Sequence, residues 1–267
     1  MPARFGDFTA RLVSAIVMVP LLAAALWQGG LVLALLVAAV TGCLAWEWSR
    51  MAGAGRWLAA ACACAGCLPV AAWPLLPAGD WGWVAAAAGL ATGALAVRHR
   101  HGLVVLAGPV VAVVPGVALL WLRGFEPGGA VLVAGLLGCV VATDTGAYAA
   151  GRLFGGPRLA PMISPNKTWA GFAGGVLAGA AGGGLMAAWL PGHANVALLC
   201  LAGAGVAVVS QAGDLGESAM KRRFGVKDSG RMIPGHGGVL DRCDGHMAAI
   251  SIAAALVWLG GKPPVLW

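Results

Sequence analysis

The hydrophobic pattern of the chain is a series of long apolar runs separated by short polar breaks. A run of about 17 to 25 mostly apolar residues is long enough to cross a bilayer as an α-helix. We therefore predict an all-α, polytopic integral membrane protein with about nine transmembrane helices. The predicted helices lie at residues 10–28, 31–48, 57–77, 81–97, 103–122, 130–150, 169–190, 195–216 and 246–260.

The polar breaks are not equally spaced, and the two longest lie in the C-terminal half of the chain, at 143–169 and 221–245. We predict two parts on this basis. Residues 1–130 form an N-terminal group of five membrane helices, and residues 131–267 contain helices six to nine together with both polar loops. In the seventh helix, glycine recurs every fourth residue, which predicts a smooth face suited to close helix contact.

The composition supports a lipid-facing protein, since 60% of the residues are hydrophobic and only 10% are charged. Soluble domains carry about 25% charged residues, so this chain cannot cover a water-facing surface. The composition excludes a soluble globular protein. The net charge of +7 is then no sign of nucleic-acid binding. In membrane proteins Lys and Arg mark the cytoplasmic side and anionic headgroups.

The distribution of basic residues predicts the orientation of the helices. With a cytoplasmic N-terminus, fifteen of the seventeen Lys and Arg residues fall on the cytoplasmic side, and Arg123 and Lys262 fall outside. The predicted topology is N-in and C-out, with both polar loops in the cytoplasm. Residues 1–27 also have the features of a cleaved signal peptide. However, another membrane span follows them, and cleavage would leave the sidedness of the loops unchanged.

Acidic residues are few, and several lie at ends of apolar helices beside the basic loops, where charge usually marks function. If the helix at 195–216 continues, then Asp214, Ser218, Lys221 and Arg222 share one face through steps of three and four residues. Asp241 and Asp244 are three apart and also share a helical face. Carboxylate oxygens suit Mg²⁺, which takes one or two carboxylates plus substrate phosphates. We predict Asp214, Asp241 and Asp244 as the metal ligands.

The second polar loop contains more cations than its acids require. An excess of Lys and Arg beside a carboxylate metal site is what a polyphosphate needs. The glycines of "PGHGG" let backbone N–H groups approach phosphate oxygens. His236 lies among these glycines, and turn packing and a phosphate contact are equally compatible with it. The cations that we assign to this role are Lys221, Arg222, Lys227, Arg231 and Arg242.

The first polar loop contains "SPNKTW" before a helix start. The spacing of a phosphate-binding P-loop is absent. A helix N-terminus with Lys167 and the hydroxyls of Ser164 and Thr168 can nevertheless hold an anion. The alternative interpretation is a basic membrane anchor followed by an ordinary helix cap.

The stretch "SAMKRRFGVKDSGRMIPGHGGVLDRCD", residues 218–244, resembles the signature of the phosphatidate cytidylyltransferase (CDP-diacylglycerol synthase) family. That signature joins Ser-x-x-Lys-Arg, Lys-Asp, His-Gly-Gly and Asp-Arg-x-Asp at fixed spacings. Cys243 departs from it, because the family usually has an aliphatic residue or Thr there. "TDTGAYAAGRLFG", "ISPNKTWAGFAGG" and "WEW" at 46–48 also resemble family segments.

The resemblance implies an enzyme that condenses CTP with phosphatidic acid to give CDP-diacylglycerol and pyrophosphate with Mg²⁺. It implies that the metal-binding acids of the family correspond to Asp214, Asp241 and Asp244, and its conserved polar loop to residues 164–168. With Lys221, these acids form the predicted catalytic set. The predicted substrate-binding residues are Asp144, Ser164, Asn166, Lys167, Thr168, Ser218, Arg222, Lys227, His236 and Arg242.

Three other functions have less support in the sequence. A cation-coupled transporter would place its acids in the middle of helices and show an inverted repeat. A CDP-alcohol phosphotransferase would show D-G-x2-A-R-x8-G-x3-D-x3-D, which is absent. A noncatalytic lipid-binding scaffold does not need so many metal-type ligands. We expect a bacterial inner membrane location with the site at the cytoplasmic face, and the sequence allows for a second cation and a homodimer.

Overall fold

A computed structural model of the chain describes residues 5–75, 102–189, 195–233 and 237–260. Eight α-helices and one pair of short strands follow one another within these residues. The helices are Phe5–Gln28 (α1), Gly30–Met51 (α2), Arg56–Ala72 (α3), Gly102–Arg123 (α4), Gly129–Phe154 (α5), Trp169–Met186 (α6), Val196–Arg223 (α7) and Leu240–Gly260 (α8). The antiparallel strands Arg158–Ala160 (β1) and Ser164–Thr168 (β2) lie between α5 and α6.

Six of these helices are long and apolar enough to cross a membrane, namely α2, α3 with its 3-10 extension, α5, α6 with its 3-10 extension, α7 and α8. Helices α1 and α4 contain shorter apolar stretches, Ile16–Gln28 and Ala107–Arg123. The prediction of an all-α polytopic membrane protein is confirmed. The predicted helix at 81–97 lies outside the described residues. The count of nine helices and the N-in, C-out orientation stay predictions.

Several helices extend beyond their apolar runs. Helix α5 continues to Phe154, so Asp144 lies inside it rather than at its end. Helix α7 continues to Arg223 and therefore carries Asp214 and the basic residues that follow. Helix α8 begins at Leu240 instead of residue 246, so its first turns are polar. A prediction based on runs of apolar residues does not include these polar turns.

The contacts divide the chain into two compact units. Unit 1 consists of Met1–Leu120 and Phe224–Cys243, and unit 2 of Trp121–Arg223 and Asp244–Trp267. The predicted division after residue 130 grouped helices along the chain, and it stays a prediction.

In unit 1, small residues allow α2 and α3 to pack closely. A Cβ atom at Gly66 would lie 3.0 Å from Ala45 Cβ and 3.1 Å from the Thr41 carbonyl oxygen. Helix α4 contacts the same unit through Trp48, whose Nε1–H donates a hydrogen bond of 2.7 Å to the Val104 carbonyl. These contacts fix α2, which carries the buried Glu47.

In unit 2, the predicted glycine face of α6 is confirmed. Its buried residues are Gly171, Gly175, Gly179 and Gly183. A Cβ atom at Gly179 would lie 2.7 Å from Ala207 Cβ in α7. Glycine is therefore required for this approach of α6 to α7, which places the start of α6 and the preceding strand β2 beside the polar end of α7.

Candidate active site

Three carboxylates come together in unit 2. Asp214 and Glu217 lie three residues apart on α7, and Asp244 comes from α8. One oxygen from each side chain lies within 4.8 Å of the other two. Glu217 is buried, whereas Asp214 and Asp244 are half-buried. We call these three residues the acid cluster.

Two glycines allow α7 and α8 to approach at this point. Gly213 precedes Asp214, and a Cβ atom there would lie 2.5 Å from Ala248 Cβ and 3.0 Å from the Asp244 carbonyl oxygen. Gly245 follows Asp244, and its Cβ atom would lie 2.6 Å from Ser210 Oγ. Real Cβ atoms do not tolerate such distances, so the acids of two helices meet because their neighbours lack side chains.

Two lysines balance part of the charge of the acid cluster. Lys167 Nζ lies 2.5 Å from Asp214 Oδ2. Lys221 Nζ lies 2.7 Å from Glu217 Oε2, and these two side chains are only 12% and 5% exposed. Two uncharged donors also contact the cluster. The Ser218 hydroxyl donates to Asp214 Oδ1 at 3.4 Å, and the Gly245 N–H donates to Asp244 Oδ1 at 2.7 Å.

Lys167 reaches the cluster from the hairpin formed by β1 and β2. The buried Thr168 ends β2 and caps α6, because its Oγ1 accepts a hydrogen bond of 3.0 Å from the Gly171 N–H. The hairpin is also held to the end of α7, since Arg222 Nε–H donates to the Ile163 carbonyl at 3.4 Å. The prediction offered an anion site or an ordinary helix cap for this segment, and Thr168 is used as a cap.

The donor set fits a hard divalent cation. Three carboxylates against two ammonium groups leave a net negative charge, and carboxylate oxygens are the ligands that Mg²⁺ and Ca²⁺ prefer. Asp144 is exposed on α5 and close enough to Asp214 and Lys167 for their charges to act on it. The cluster can therefore hold a metal ion, with further negative charge nearby.

Asp241, the third acid of the predicted ligand set, has a different environment in unit 1. Its Oδ1 and Oδ2 both accept from the Ser229 N–H at 3.1 Å, and Oδ2 also accepts from the Gly238 N–H at 3.0 Å. The structure thus groups Glu217, rather than Asp241, with Asp214 and Asp244. Backbone donors surround Asp241 because it lies in the first turn of α8, where the chain has just turned back.

The other predicted residues fall into two groups. Ser164 is half-buried and Asn166 is exposed, both on β2 in unit 2. Lys227, Arg231 and Arg242 are exposed in unit 1. His236 lies outside the described residues, so its two interpretations both stay predictions.

Two carboxylates were not among the predicted site residues. The sequence could have indicated Glu217 as a site residue, because it follows Asp214 by three residues, the same spacing that singled out Asp241 and Asp244. The sequence gives less indication of a role for Glu47, since a lone acid in an apolar helix does not identify its partners. Glu47 is 2% exposed, and its carboxylate accepts hydrogen bonds from Ser229 and from the first residue of α8.

Known proteins resemble this chain over most of its length. A model of the cytidylyltransferase family matches residues 9–259. The phosphatidate cytidylyltransferase of Pseudomonas aeruginosa is 37% identical over 269 residues, which cover 94% of this chain and 97% of the relative.

Shorter matches have higher identity. The phosphatidate cytidylyltransferase of Brucella suis biovar 1 is 52% identical over 146 residues, 54% of this chain and 52% of the relative. That of Staphylococcus epidermidis is 49% identical over 115 residues, 43% of this chain and 44% of the relative. In these matches the chain spans about half the length of the curated relatives or less. The family model and the Pseudomonas relative cover nearly the whole chain, and the chain belongs to the cytidylyltransferase family.

Proposed function

We propose that the protein is a phosphatidate cytidylyltransferase, which condenses CTP with phosphatidic acid to give CDP-diacylglycerol and pyrophosphate. The observation that carries this proposal is the acid cluster, in which Asp214, Glu217 and Asp244 meet beside Lys167 and Lys221. The names of the relatives support the choice of cytidylyl transfer to phosphatidate.

We propose Mg²⁺ as the ion held by Asp214, Glu217 and Asp244. When bound, Mg²⁺ neutralises charge on the triphosphate and on the departing pyrophosphate. A second cation stays a prediction. Asp241 is omitted from this ligand set because its oxygens accept backbone hydrogen bonds.

The reaction needs positioning more than a general base. A phosphate monoester loses its second proton with a pKa of about 6, so the oxygen of phosphatidic acid is already an anion near neutral pH. This oxygen forms a bond to the α-phosphorus of CTP, and the bond from that phosphorus to the bridging oxygen of the β-phosphate breaks. Lys167 and Lys221 place positive charge where two anionic substrates must approach each other.

We assign further substrate contacts to residues near the cluster. Asn166 and Ser164 lie on the same strand as Lys167, and Arg222 follows Lys221 at the end of α7. Ser218 orients Asp214 through its hydroxyl. The cations Lys227 and Arg242 of unit 1 stay predicted phosphate contacts, as does His236, and Asp144 stays a predicted substrate-binding residue.

An apolar cavity of about 510 Å³ in unit 2 supports a lipid substrate. Most of its lining comes from α5, α6, α7 and α8 and includes Leu136, Met186, Leu199 and Leu256. A cavity with almost no polar surface in a membrane protein suits an acyl chain. We propose that a tail of phosphatidic acid enters it from the bilayer.

The predicted location follows from the basic residues. Lys221, Arg222 and Arg223 occupy the last turn of α7, next to the acid cluster. We propose that this end of α7 faces the cytoplasm in a bacterial inner membrane, where CTP is available. Self-association as a homodimer stays a prediction.

The decisive test uses purified protein in lipid nanodiscs with labelled CTP, Mg²⁺ and phosphatidic acid. We expect pyrophosphate release that requires the lipid, and we expect Asp244→Ala to abolish it while the protein still inserts. Glu126→Gln is the matched control, because it removes an exposed carboxylate that pairs with Arg123 at 2.9 Å. Pyrophosphate release without lipid, or a fully active Asp244→Ala variant, would contradict the proposal.

A further inference from the structure

Glu47 is a buried carboxylate in an otherwise apolar helix. It lies near the end of α2 and is 2% exposed. A carboxylate in such a place is costly unless polar groups surround it, and charged residues in membrane helices usually have a function. The contacts of Glu47 therefore indicate its role.

The Glu47 carboxylate binds both ends of one polar loop. Its Oε2 accepts hydrogen bonds from the Ser229 hydroxyl at 3.0 Å and from the Leu240 N–H at 2.9 Å. Leu240 is the first residue of α8, and the first N–H groups of a helix have no acceptor within the helix. Glu47 thus performs the role of an N-cap from a distant part of the sequence, and its negative charge suits the helix N-terminus.

Two glycines enclose the carboxylate of Glu47. A Cβ atom at Gly230 would collide with Glu47 Oε1, and one at Gly238 would lie 2.6 Å from Glu47 Oε2. Asp241 holds the same loop through the N–H groups of Ser229 and Gly238. Two carboxylates therefore hold residue 229 next to residues 238–240. We call the described residues 229–233 and 237–240 the polar loop.

The helix that follows this loop carries one residue of the acid cluster. Helix α8 begins at Leu240, and Asp244 lies four residues further along it. The place where α8 begins determines the direction in which the side chains of that helix point, since each residue turns by a fixed angle.

We propose that Glu47 is a positioning residue for cytidylyl transfer, which fixes the start of α8 and the polar loop by hydrogen bonds to Ser229 and Leu240. The inference rests on the proposed function. Glu47 does not act on the substrates itself; it acts through the loop and helix that it holds.

The test compares Glu47→Ala and Glu47→Gln with the wild type in nanodiscs. Glutamine keeps one oxygen that can accept from Ser229 and Leu240, whereas alanine keeps none. We expect Glu47→Ala to lower kcat by about 10 to 100-fold, the scale for residues that orient a metal site through other groups. We expect Glu47→Gln to recover most of kcat. We expect hydrogen exchange at residues 229–233 and 237–240 to be faster in the alanine variant.

Ser49→Ala is the control for a merely structural effect. Ser49 is fully buried in the same helix, and its hydroxyl donates to the Ala45 carbonyl at 2.7 Å. We expect Ser49→Ala to leave kcat and the exchange of the loop unchanged. Equal losses of kcat in Ser49→Ala and Glu47→Ala, in proportion to unfolded protein, would overturn the inference.

Hydrogen exchange separates this inference from the proposed function. If the wild type releases no pyrophosphate, the proposed function fails, but exchange in the polar loop still reports whether Glu47 holds it. Unchanged exchange in Glu47→Ala would overturn the inference whatever the activity, as would faster exchange with an unchanged kcat in an active enzyme.

Discussion

The acids of the two units have different partners. In unit 2, the acid cluster faces two lysines and includes three carboxylates within 4.8 Å of one another. In unit 1, Glu47 and Asp241 accept hydrogen bonds from the backbone N–H groups of Ser229, Gly238 and Leu240. Both sets consist of Asp and Glu residues. The set in unit 2 concentrates negative charge, whereas the set in unit 1 holds the backbone in place.

The groups that face a carboxylate, rather than its residue type, therefore decide what the carboxylate does. Backbone N–H donors occupy acceptor sites of an oxygen and make it part of the fold. Crowded carboxylates repel each other and gain from a bound cation, because a cation removes that repulsion. The two units therefore predict different consequences for equivalent substitutions.

The largest effect is expected for Asp214→Asn. This change removes one charge of the acid cluster and the ion pair with Lys167. We expect kcat for cytidylyl transfer to fall by about 10² to 10³-fold, the scale for losing one main electrostatic group in an active site. Steady-state kinetics measures this, and thermal unfolding should show that the variant is folded. An Asp214→Asn variant with more than about half the wild-type kcat would remove the cluster from the mechanism.

A smaller effect separates Glu217 from Asp241. We expect Glu217→Gln to raise the Mg²⁺ concentration for half-maximal activity by about 10 to 100-fold, since a ligand charge is lost. We expect Asp241→Asn to cost about 1–3 kcal/mol of stability, because its amide would face backbone N–H donors. Its Mg²⁺ dependence should match the wild type.

Activity titrated with Mg²⁺ and thermal unfolding of both variants measure this contrast. The opposite result, a raised Mg²⁺ requirement in Asp241→Asn and none in Glu217→Gln, would support the original prediction of Asp241 as a ligand. It would also show that the contacts of Asp241 change when substrates bind.

The smallest effect concerns the approach of α7 to α8. A Cβ atom at Gly213 would lie 2.5 Å from Ala248 Cβ, and overpacking of this kind costs about 1–3 kcal/mol. We expect Gly213→Ala to lower the unfolding temperature. We expect its kcat to fall severalfold at most. Gly216 is the matched control in the same helix, because its Cβ atom would meet nothing within 4 Å. Gly216→Ala should be as stable as the wild type or more so, and equal behaviour of both variants would refute the close approach.

Much of the fold could be predicted because apolar length is a local property. The runs that predicted α2, α5, α6 and α7 need no knowledge of distant residues. The start of α8 was missed because residues 240–245 include three charged side chains, and the N–H group of Leu240 is capped by Glu47, far away in the sequence. The short hairpin of β1 and β2 was missed because its pairing involves few residues and no alternating pattern.

The chemistry of the candidate site could be predicted from the sequence, but not all of the residues that form it. Asp214, Asp244, Lys167 and Lys221 were singled out because charge is rare in this chain and expensive near a membrane. Glu217 lay within the same pattern but was not assigned to it. Asp241 was assigned by spacing, and spacing along a helix reports a shared face without reporting what the face meets.

The amino-acid sequence is sufficient to establish a membrane protein, its family and the small set of charged residues available for chemistry. Which acids meet depends on helices that are distant in sequence, since the groups facing each oxygen come from α2, β2, α7 and α8. A carboxylate becomes a cation ligand or a helix cap according to the donors and charges placed around it, and folding places them.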